Sequence, residues 1–537
     1  MLYRVEKIRQ KAYGLLQFLI ILIFAGSVFI TSGKFVNSEN APKVYFVILS
    51  SIIAFVILVI TAKSKITTDH ATKIRILKGI FLVSLIQALY GICQYANIFS
   101  SNHSAFSVTG SFDNPAGFAA VVALLFPVGL YFALSKTQPG RYFYASALMI
   151  VVLSIVLSRS RTGILAILVS TAMFFILYAR QKGKTTRNNK LLGLWTVLCF
   201  IPATILLYQL NKDSADGRIL IWNISWEMIK DKPIFGHGHG SFKAKYMDYQ
   251  AEHFADNKNP QLKNLADNVK HPFNEFIMIA VQYGIVGFLF INFMLTCIIR
   301  SVFKANTCLS PLIFSSFAAC LVFAMLSYPL QYMAIWILLL ILCLIALIPV
   351  EIRMKKTRHG LILRSVIIIS AIICFSYTLK HIQYQLKWKA IAQQSLSGQT
   401  IIMLPQYRQL YPALKSNPFF LYNFGAELNI AGKYSESLAI LKECKKKFND
   451  YDLQLLLADN YYRIGAWDKA LNTYRYASWM IPCRFWPMYQ MFSIYRETGQ
   501  NKKALRMAKR IYRKKVKVPS LTIKSIKKEA KSYLALH

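Results

Sequence analysis

An all-α fold is predicted for this chain: a polytopic membrane helical bundle of about eleven transmembrane helices, followed by a C-terminal α-solenoid. Three observations carry the prediction. Of 537 residues, 55% are hydrophobic and 14% aromatic, and a mean hydropathy of +0.39 is too high for a soluble protein of this length. Apolar runs of bilayer-spanning length recur from residue 12 to residue 379. Beyond residue 417 the composition turns polar and glycines return at a nearly fixed interval.

The apolar runs lie near 12 to 31, 44 to 62, 76 to 98, 116 to 135, 142 to 157, 163 to 179, 191 to 210, 275 to 298, 310 to 326, 329 to 349 and 361 to 379. The first follows a basic start (Arg4, Lys7, Arg9, Lys11) and lacks a small-residue cleavage site, so it reads as a retained helix. Alternate short loops carry the positive charge: Lys63, Lys65, Lys73 and Arg75; Lys136 and Arg141; Arg180, Lys182, Lys184, Arg187 and Lys190; Arg300 and Lys304; Arg353, Lys355, Lys356 and Arg358. Those loops are expected on the cytoplasmic side, and the weakly charged 100–115 and 327–329 on the other. An odd number of spans sends the polar insertion at 211–272 and the tail outward together. The expected domains are 1–210 with seven transmembrane helices, 211–274 as an outer loop with short helices, 275–385 with four more spans, and 386–537 as the solenoid. Much of the net charge of +41 sits in short loops where it orients helices, so membrane lipid is an expected partner and nucleic acid is not.

In the tail, Gly432, Gly465 and Gly499 recur at intervals of 33 and 34. Each is followed by an aromatic or polar residue (Tyr434, Trp467, Asn501) and then a small one (Ser437, Ala470, Ala504). Pro482 closes the second unit, and the third is degenerate. The period resembles that of tetratricopeptide repeats, helix pairs stacked into a concave surface, which implies either a protein partner or a cap on the membrane domain. The 511–531 stretch is lysine-rich, as expected of a solvated face or of attraction to anionic headgroups or glycans. Nine cysteines show no metal-site spacing. Seven fall in or beside apolar spans, and Cys444 and Cys483 in the tail can meet as a disulfide if the tail faces outward.

Two regions concentrate chemistry. Arg159 and Arg161 sit in SRSRTG, a break between two apolar spans on the side that is otherwise poor in positive charge. Boundary arginines either snorkel to headgroups or bind substrate, and a guanidinium fork matches phosphate oxygens bidentately without losing its charge. The second region runs from GRILIWNISWEMIKDKPIFGHGHGSF, starting at Gly217, to HPFNEFIMIAVQYGIVG, starting at His271. Arg218 and Trp222 are four apart and share a helix face, and Lys232-Pro233 ends that helix before a glycine-rich turn. His237 and His239 in GHGHG have no third ligand at a fixed spacing. No metal is expected, and the segment reads as a tight turn delivering Phe242 into the membrane domain. Gly284 and Gly287 share a helical face suited to close helix packing.

The order Arg218, Trp222, Pro233, Gly236-x-Gly238, Phe242, then Asn274-Glu275 with Gly284 and Gly287, resembles the O-antigen ligase and polymerase family of bacterial membrane glycosyltransferases. A GSFxNP-like segment (Gly110, Ser111, Phe112, Asn114, Pro115) and Arg161 in an SxSR-type turn extend the similarity over roughly residues 105 to 300. The resemblance implies a multi-pass protein of the bacterial inner membrane with its C-terminal domain in the periplasm. It implies transfer of a glycan from an undecaprenyl diphosphate carrier to an acceptor hydroxyl at the periplasmic face, without cofactor or metal. Arg161 and Arg218, with Arg159, would then hold the donor diphosphate, and Asn114, Trp222, Gly236, Gly238 and Asn274 would support the site. Many relatives place His directly before the Asn; here Phe273 stands there, which leaves His271 and Glu275 as alternative bases, or Asn274 as a helix-end hydrogen bonder beside a loop histidine.

Lipid A core, a protein hydroxyl or another glycan all remain open as acceptor, so ligase, polysaccharide polymerase and protein O-oligosaccharyltransferase are rival readings within one class. A transporter of lipid-linked glycans would need internal repeats in the membrane half and charges at midplane, and neither is visible. A non-catalytic scaffold presenting the repeats is the reading that Phe273 keeps open.

Overall fold

The computed structural model describes residues 2–61, 70–135, 140–181, 209, 212–255, 260–305, 307–347 and 358–536, and every helix or strand element among them is helical. The α-helices are α1 (Leu2–Phe29), α2 (Ala41–Thr61), α3 (His70–Tyr95), α4 (Pro115–Leu134), α5 (Arg141–Leu157), α6 (Arg161–Gln181), α7 (Lys212–Asp231), α8 (Ser241–Ala255), α9 (Glu275–Ala305), α10 (Ser310–Leu326), α11 (Met333–Leu347) and α12 (Arg358–Gln394). The tail adds α13 (Thr400–Leu414), α14 (Pro418–Ile430), α15 (Tyr434–Lys445), α16 (Tyr451–Arg463), α17 (Trp467–Met480), α18 (Trp486–Glu497), α19 (Asn501–Arg513) and α20 (Leu521–Leu536). The run expected to span near 191 to 210 falls, bar one residue, outside the described residues, as do the basic loop positions at 63–65, 136, 182–190 and 353–356. Among the described residues six helical stretches are long and apolar enough to cross a membrane, and four further apolar helices are shorter.

Two compact units emerge. The first comprises Met1–Leu210, Phe273–Glu275 and Ile291–Leu386; the second comprises Asn211–Pro272, Phe276–Phe290 and Lys387–His537.

The first unit is built around α4. Its sequence, PAGFAAVVALLFPVGLYFAL, is apolar on every side, so no face prefers water and the helix is stable only when surrounded. Accordingly α3, α5, α6 and α10 pack about it, and nearly every residue from Pro115 to Leu130 is buried. Small residues make room for large ones: a Cβ on Gly129 would stand 2.4 Å from the Phe81 ring, so that ring of α3 seats directly on the α4 backbone.

In the second unit the tail helices pair α14 with α15, α16 with α17 and α18 with α19. Gly432, Gly465 and Gly499 each follow the first helix of a pair with φ of 74°, 75° and 69°, the left-handed conformation that lets a helix terminate and the chain reverse. Tyr434, Trp467 and Asn501 open the second helices, and Ser437, Ala470 and Ala504 are fully buried where the paired helices cross. The third pair, degenerate in sequence, is complete: α18 and α19 close with α20 over Ile494, Ala504, Ala508, Ile526 and Ala530. Cys444 and Cys483 are both free.

The insertion folds onto this tail. α8 packs on α17; Gln250 Nε2 donates to Met480 O (2.7 Å) and Asp248 Oδ1 accepts from Asn449 Nδ2 (2.6 Å) and the Tyr476 hydroxyl. Phe242, on α8 of this unit, is fully buried and stacked on Tyr246 at 4.8 Å.

The expectation for Gly284 changes. It does not lie on a helical face: α9 breaks there, with φ 61° and ψ −159°. The break is stitched to the Pro233–Gly238 loop by four backbone bonds: His237 N to Val281 O (2.9 Å), Gly238 N to Gln282 O (2.9 Å), Ile285 N to Pro233 O (2.8 Å) and Val286 N to Ile234 O (3.2 Å). Two glycines permit it. A Cβ on Gly284 would sit 2.3 Å from Ile234 O, and one on Gly236 would sit 2.5 Å from the Gln282 carbonyl carbon. Gly238, with φ 96°, has open space around the same position. Left-handed backbone alone costs a non-glycine residue about 1–2 kcal/mol, and overlap with rigid backbone adds to that. Gly284→Ala and Gly236→Ala should therefore lower the thermal unfolding midpoint of the purified protein well beyond the shift for Gly238→Ala. Equal shifts for all three would refute the stitch.

Candidate functional site

At one end of the first unit, several chain reversals are held by buried side chains. Gln94 at the end of α3 accepts from Thr109 N (3.0 Å) and Gly110 N (2.7 Å) and donates to the carbonyls of Ser100 (3.1 Å) and Gly110 (3.0 Å). The Lys43 ammonium donates to Ser111 O (2.5 Å) and lies 4.2 Å over the Phe112 ring. Asn114 is extended, caps α4 through Oδ1 to Ala116 N (2.8 Å) and Gly117 N (3.4 Å), and donates through Nδ2 to the Tyr328 hydroxyl (2.9 Å).

α6 begins beside α4, since a Cβ on Gly163 would stand 3.1 Å from Ala119 Cβ. Ser160 Oγ accepts from Gly163 N (3.2 Å), so Arg161 is the first residue of a capped helix. No acidic residue occupies that first turn. The guanidinium and the outward N–H groups of the turn make this end of α6 doubly positive, an arrangement suited to an anion. Arg161 is half-buried, while Arg159 is exposed and held at φ 54°.

Phe273 has the same left-handed φ of 54°, costly for an aromatic residue. Its ring meets Tyr328 edge-on at 5.3 Å. Asn274 Nδ2 donates to Met325 O (3.1 Å), and the buried Glu275, first residue of α9, accepts from Leu330 N (2.9 Å) through Oε1. Tyr332 donates to Asp113 Oδ1 (3.1 Å). Asn114, Asn274 and Glu275 thus converge on the short 325–332 segment at the end where α6 starts. The opposite end carries Lys73, donating to Ile345 O (2.9 Å), and Arg180 in the last turn of α6.

The second unit holds the remaining residues. Arg218 and Trp222 lie one turn apart on α7, and Trp222 Nε1 donates to Pro272 O (2.8 Å), which brings His271 beside that helix. Gly236 and Gly238 serve the stitch to α9. Both histidines of GHGHG are engaged within the fold. His239 Nδ1 and the Tyr283 hydroxyl are 2.6 Å apart. The buried His237 imidazole has Nε2 2.8 Å from Met228 O and Nδ1 3.4 Å from Lys245 Nζ.

Residues 145–291 match the family model of the O-antigen ligases. The O-antigen ligase stretch contains the SRSRTG turn, all of α7 and α8, and the 271–275 segment; no curated protein matches the chain. The similarity is confined to that stretch, about a quarter of the chain; it supports a membrane glycan-transferring ligase or polymerase in general, in keeping with the apolar, membrane-length helices among the described residues.

Sequence reasoning missed Tyr328, Tyr332 and Asp113. The available signal was the pair of tyrosines four apart in SYPLQY, flanking a proline between two apolar runs.

His237 gives a test of the α7–α8 junction. Burial pushes its pKa below the ordinary 6.5, and the cationic Lys245 adds to the effect. With Nε2 facing a carbonyl and Nδ1 facing an ammonium, the neutral Nε2–H tautomer fits. The unfolded chain then binds a proton that the folded chain resists. Stability should be flat above about pH 7 and fall as pH drops below about 6.5. Thermal unfolding at pH 7.5 and pH 5.5 should show this loss, and His237→Gln should reduce the pH dependence; an unchanged dependence would exclude the assignment.

Proposed function

We propose that the protein is a metal-independent glycosyltransferase that moves a glycan from an undecaprenyl diphosphate carrier to an acceptor hydroxyl at the periplasmic face of the bacterial inner membrane. The observation that carries the reading is the position of Arg161, first residue of α6 inside the O-antigen ligase stretch, where guanidinium and helix N-terminus present positive charge together. In the proposed reaction the acceptor oxygen attacks the anomeric carbon, the bond from that carbon to the diphosphate oxygen breaks, and the carrier diphosphate leaves. Negative charge grows on the leaving oxygen. Arg161 and Arg218 stabilise that charge, with Arg159 adding to the field, so the scheme calls for no metal.

The acceptor proton goes to Glu275 in this reading. Its carboxyl is buried, oriented by Leu330 N, and shares the Arg161 end of the first unit. His271, positioned beside α7 through Trp222, is the alternative base. Asn114 and Asn274 act as positioning residues for the 325–332 segment. The helix pairs of the tail, read as a tetratricopeptide-like solenoid on the same side of the membrane, would recruit the acceptor or a protein partner. Lipid A core, protein and glycan hydroxyls all fit the chemistry.

Transfer from a lipid-linked glycan in reconstituted vesicles provides the test. Arg161→Ala and Arg218→Ala should each lower the rate by on the order of a hundredfold to a thousandfold, as loss of a preorganised oxyanion contact does. Arg161→Lys should recover only part, because a point charge cannot reproduce the fork. Loss of the base should cost about a hundredfold to ten-thousandfold, so Glu275→Gln should fall in that range while His271→Ala stays near wild type; the reverse outcome moves the base to His271. Wild-type rates for both arginine variants would reject the site.

A further inference from the structure

Within the second unit, the C-terminal ends of α8 and α17 and one face of α19 enclose a cavity of about 560 Å³. Among the described residues six cations line it, Lys263, Arg506, Lys509, Arg510, Arg513 and Lys514, and no acidic residue does. The buried face of one helix gathers this charge on one side. On α19, Ala504, Ala508 and Ile511 are buried, while Arg506, Lys509, Arg510 and Arg513 follow the i, i+3, i+4, i+7 spacing of one face. From 498 to 528 the chain has twelve Lys and Arg and no Asp or Glu. An ordinary solvated face intersperses both signs.

The cavity also has an apolar wall formed by Trp479, Phe254 and Met488. At its floor Lys514 Nζ donates to Arg484 O (2.5 Å) and sits 4.8 Å over the Phe485 ring. Burial, with Arg510 and Lys263 nearby, pushes the Lys514 ammonium down to about 8. Gathering like charges around a concave space is unfavourable until an anion neutralises them. Arginine forks suit phosphate oxygens, and the half-buried Trp479 offers an aromatic surface for a sugar ring.

We propose that this cavity binds the phosphate-bearing end of a saccharide, at a site separate from the transfer chemistry. The volume lies within the range of about 300–1,000 Å³ typical of small-ligand sites. A concave site with an indole wall fits a compact sugar phosphate better than a flat lipid surface. The proposal does not rest on the transferase reading.

Calorimetric titration of the full-length protein in detergent tests it, with glucose 1-phosphate, glucose and inorganic phosphate as probes. Glucose 1-phosphate should bind, with an affinity that falls as salt rises; inorganic phosphate should bind more weakly and glucose not measurably. The exposed double change Arg506→Gln/Arg510→Gln should weaken glucose 1-phosphate at least about tenfold, since each removes a charge-assisted contact. Trp479→Ala should bring its affinity to that of inorganic phosphate. Arg161→Ala should leave the binding unchanged, which separates this site from the transfer site. Three results would overturn the proposal: no binding of glucose 1-phosphate, binding indifferent to the double change, or tighter binding of polyglutamate, which would mark a site for acidic protein. Binding of phosphatidylglycerol vesicles that the double change abolishes, without sugar phosphate binding, would overturn it in favour of a lipid headgroup.

Discussion

A backbone amide or carbonyl that leaves a helix inside an apolar bundle finds no water, and an unpaired one costs several kcal/mol, roughly. That constraint accounts for most of the polar side chains at the motif-bearing end of the first unit. Gln94 makes four bonds to the backbone of the segment before α4. Asn114 and Ser160 cap the two helices that begin there. Glu275 satisfies Leu330, and Asn274 satisfies Met325. The side chains nominated for chemistry from the sequence are therefore also those that pair the non-helical backbone at this end of the unit.

Such double duty constrains how the site is built. Glu275 has one carboxylate oxygen committed to Leu330, which orients the group instead of leaving it to rotate. Phe273 and Arg159 hold left-handed backbone at the two places where the chain turns into α9 and α6. Strain of this kind persists only when surrounding contacts over-determine it, as the ring of Phe273 against Tyr328 does on one side.

The second unit solves a different problem. It must present polar surface while packing, and it does so with short amphipathic helices whose reversals are glycines and whose crossings are Ser437, Ala470 and Ala504. The cations of α19 are not scattered: its buried face forces them to one side, where the ends of α8 and α17 turn a charged stripe into a walled cavity.

Periodicity and composition determined a good deal by themselves. Helices of membrane length, the 33- and 34-residue glycine spacing of the tail and the helix start at Asn114-Pro115 follow from local physics: apolar length, left-handed termination, and a capping side chain before proline. The likeness to the O-antigen ligases was legible from short motifs because those residues are adjacent in sequence. Other features depended on distance. Gly236 and Gly284 lie 48 positions apart, and nothing local to Gly284 distinguishes a glycine that allows helix packing from one that breaks the helix to receive a loop. Tyr328 gained its part only by meeting Asn114, more than two hundred residues away in sequence, and the third tail pair closes despite a weak pattern because α20 completes its core. Residue type and spacing set which elements form; which glycine bends, which tyrosine meets the cap and which lysines share a cavity were decided by tertiary packing, because each depends on a partner that the local sequence does not contain.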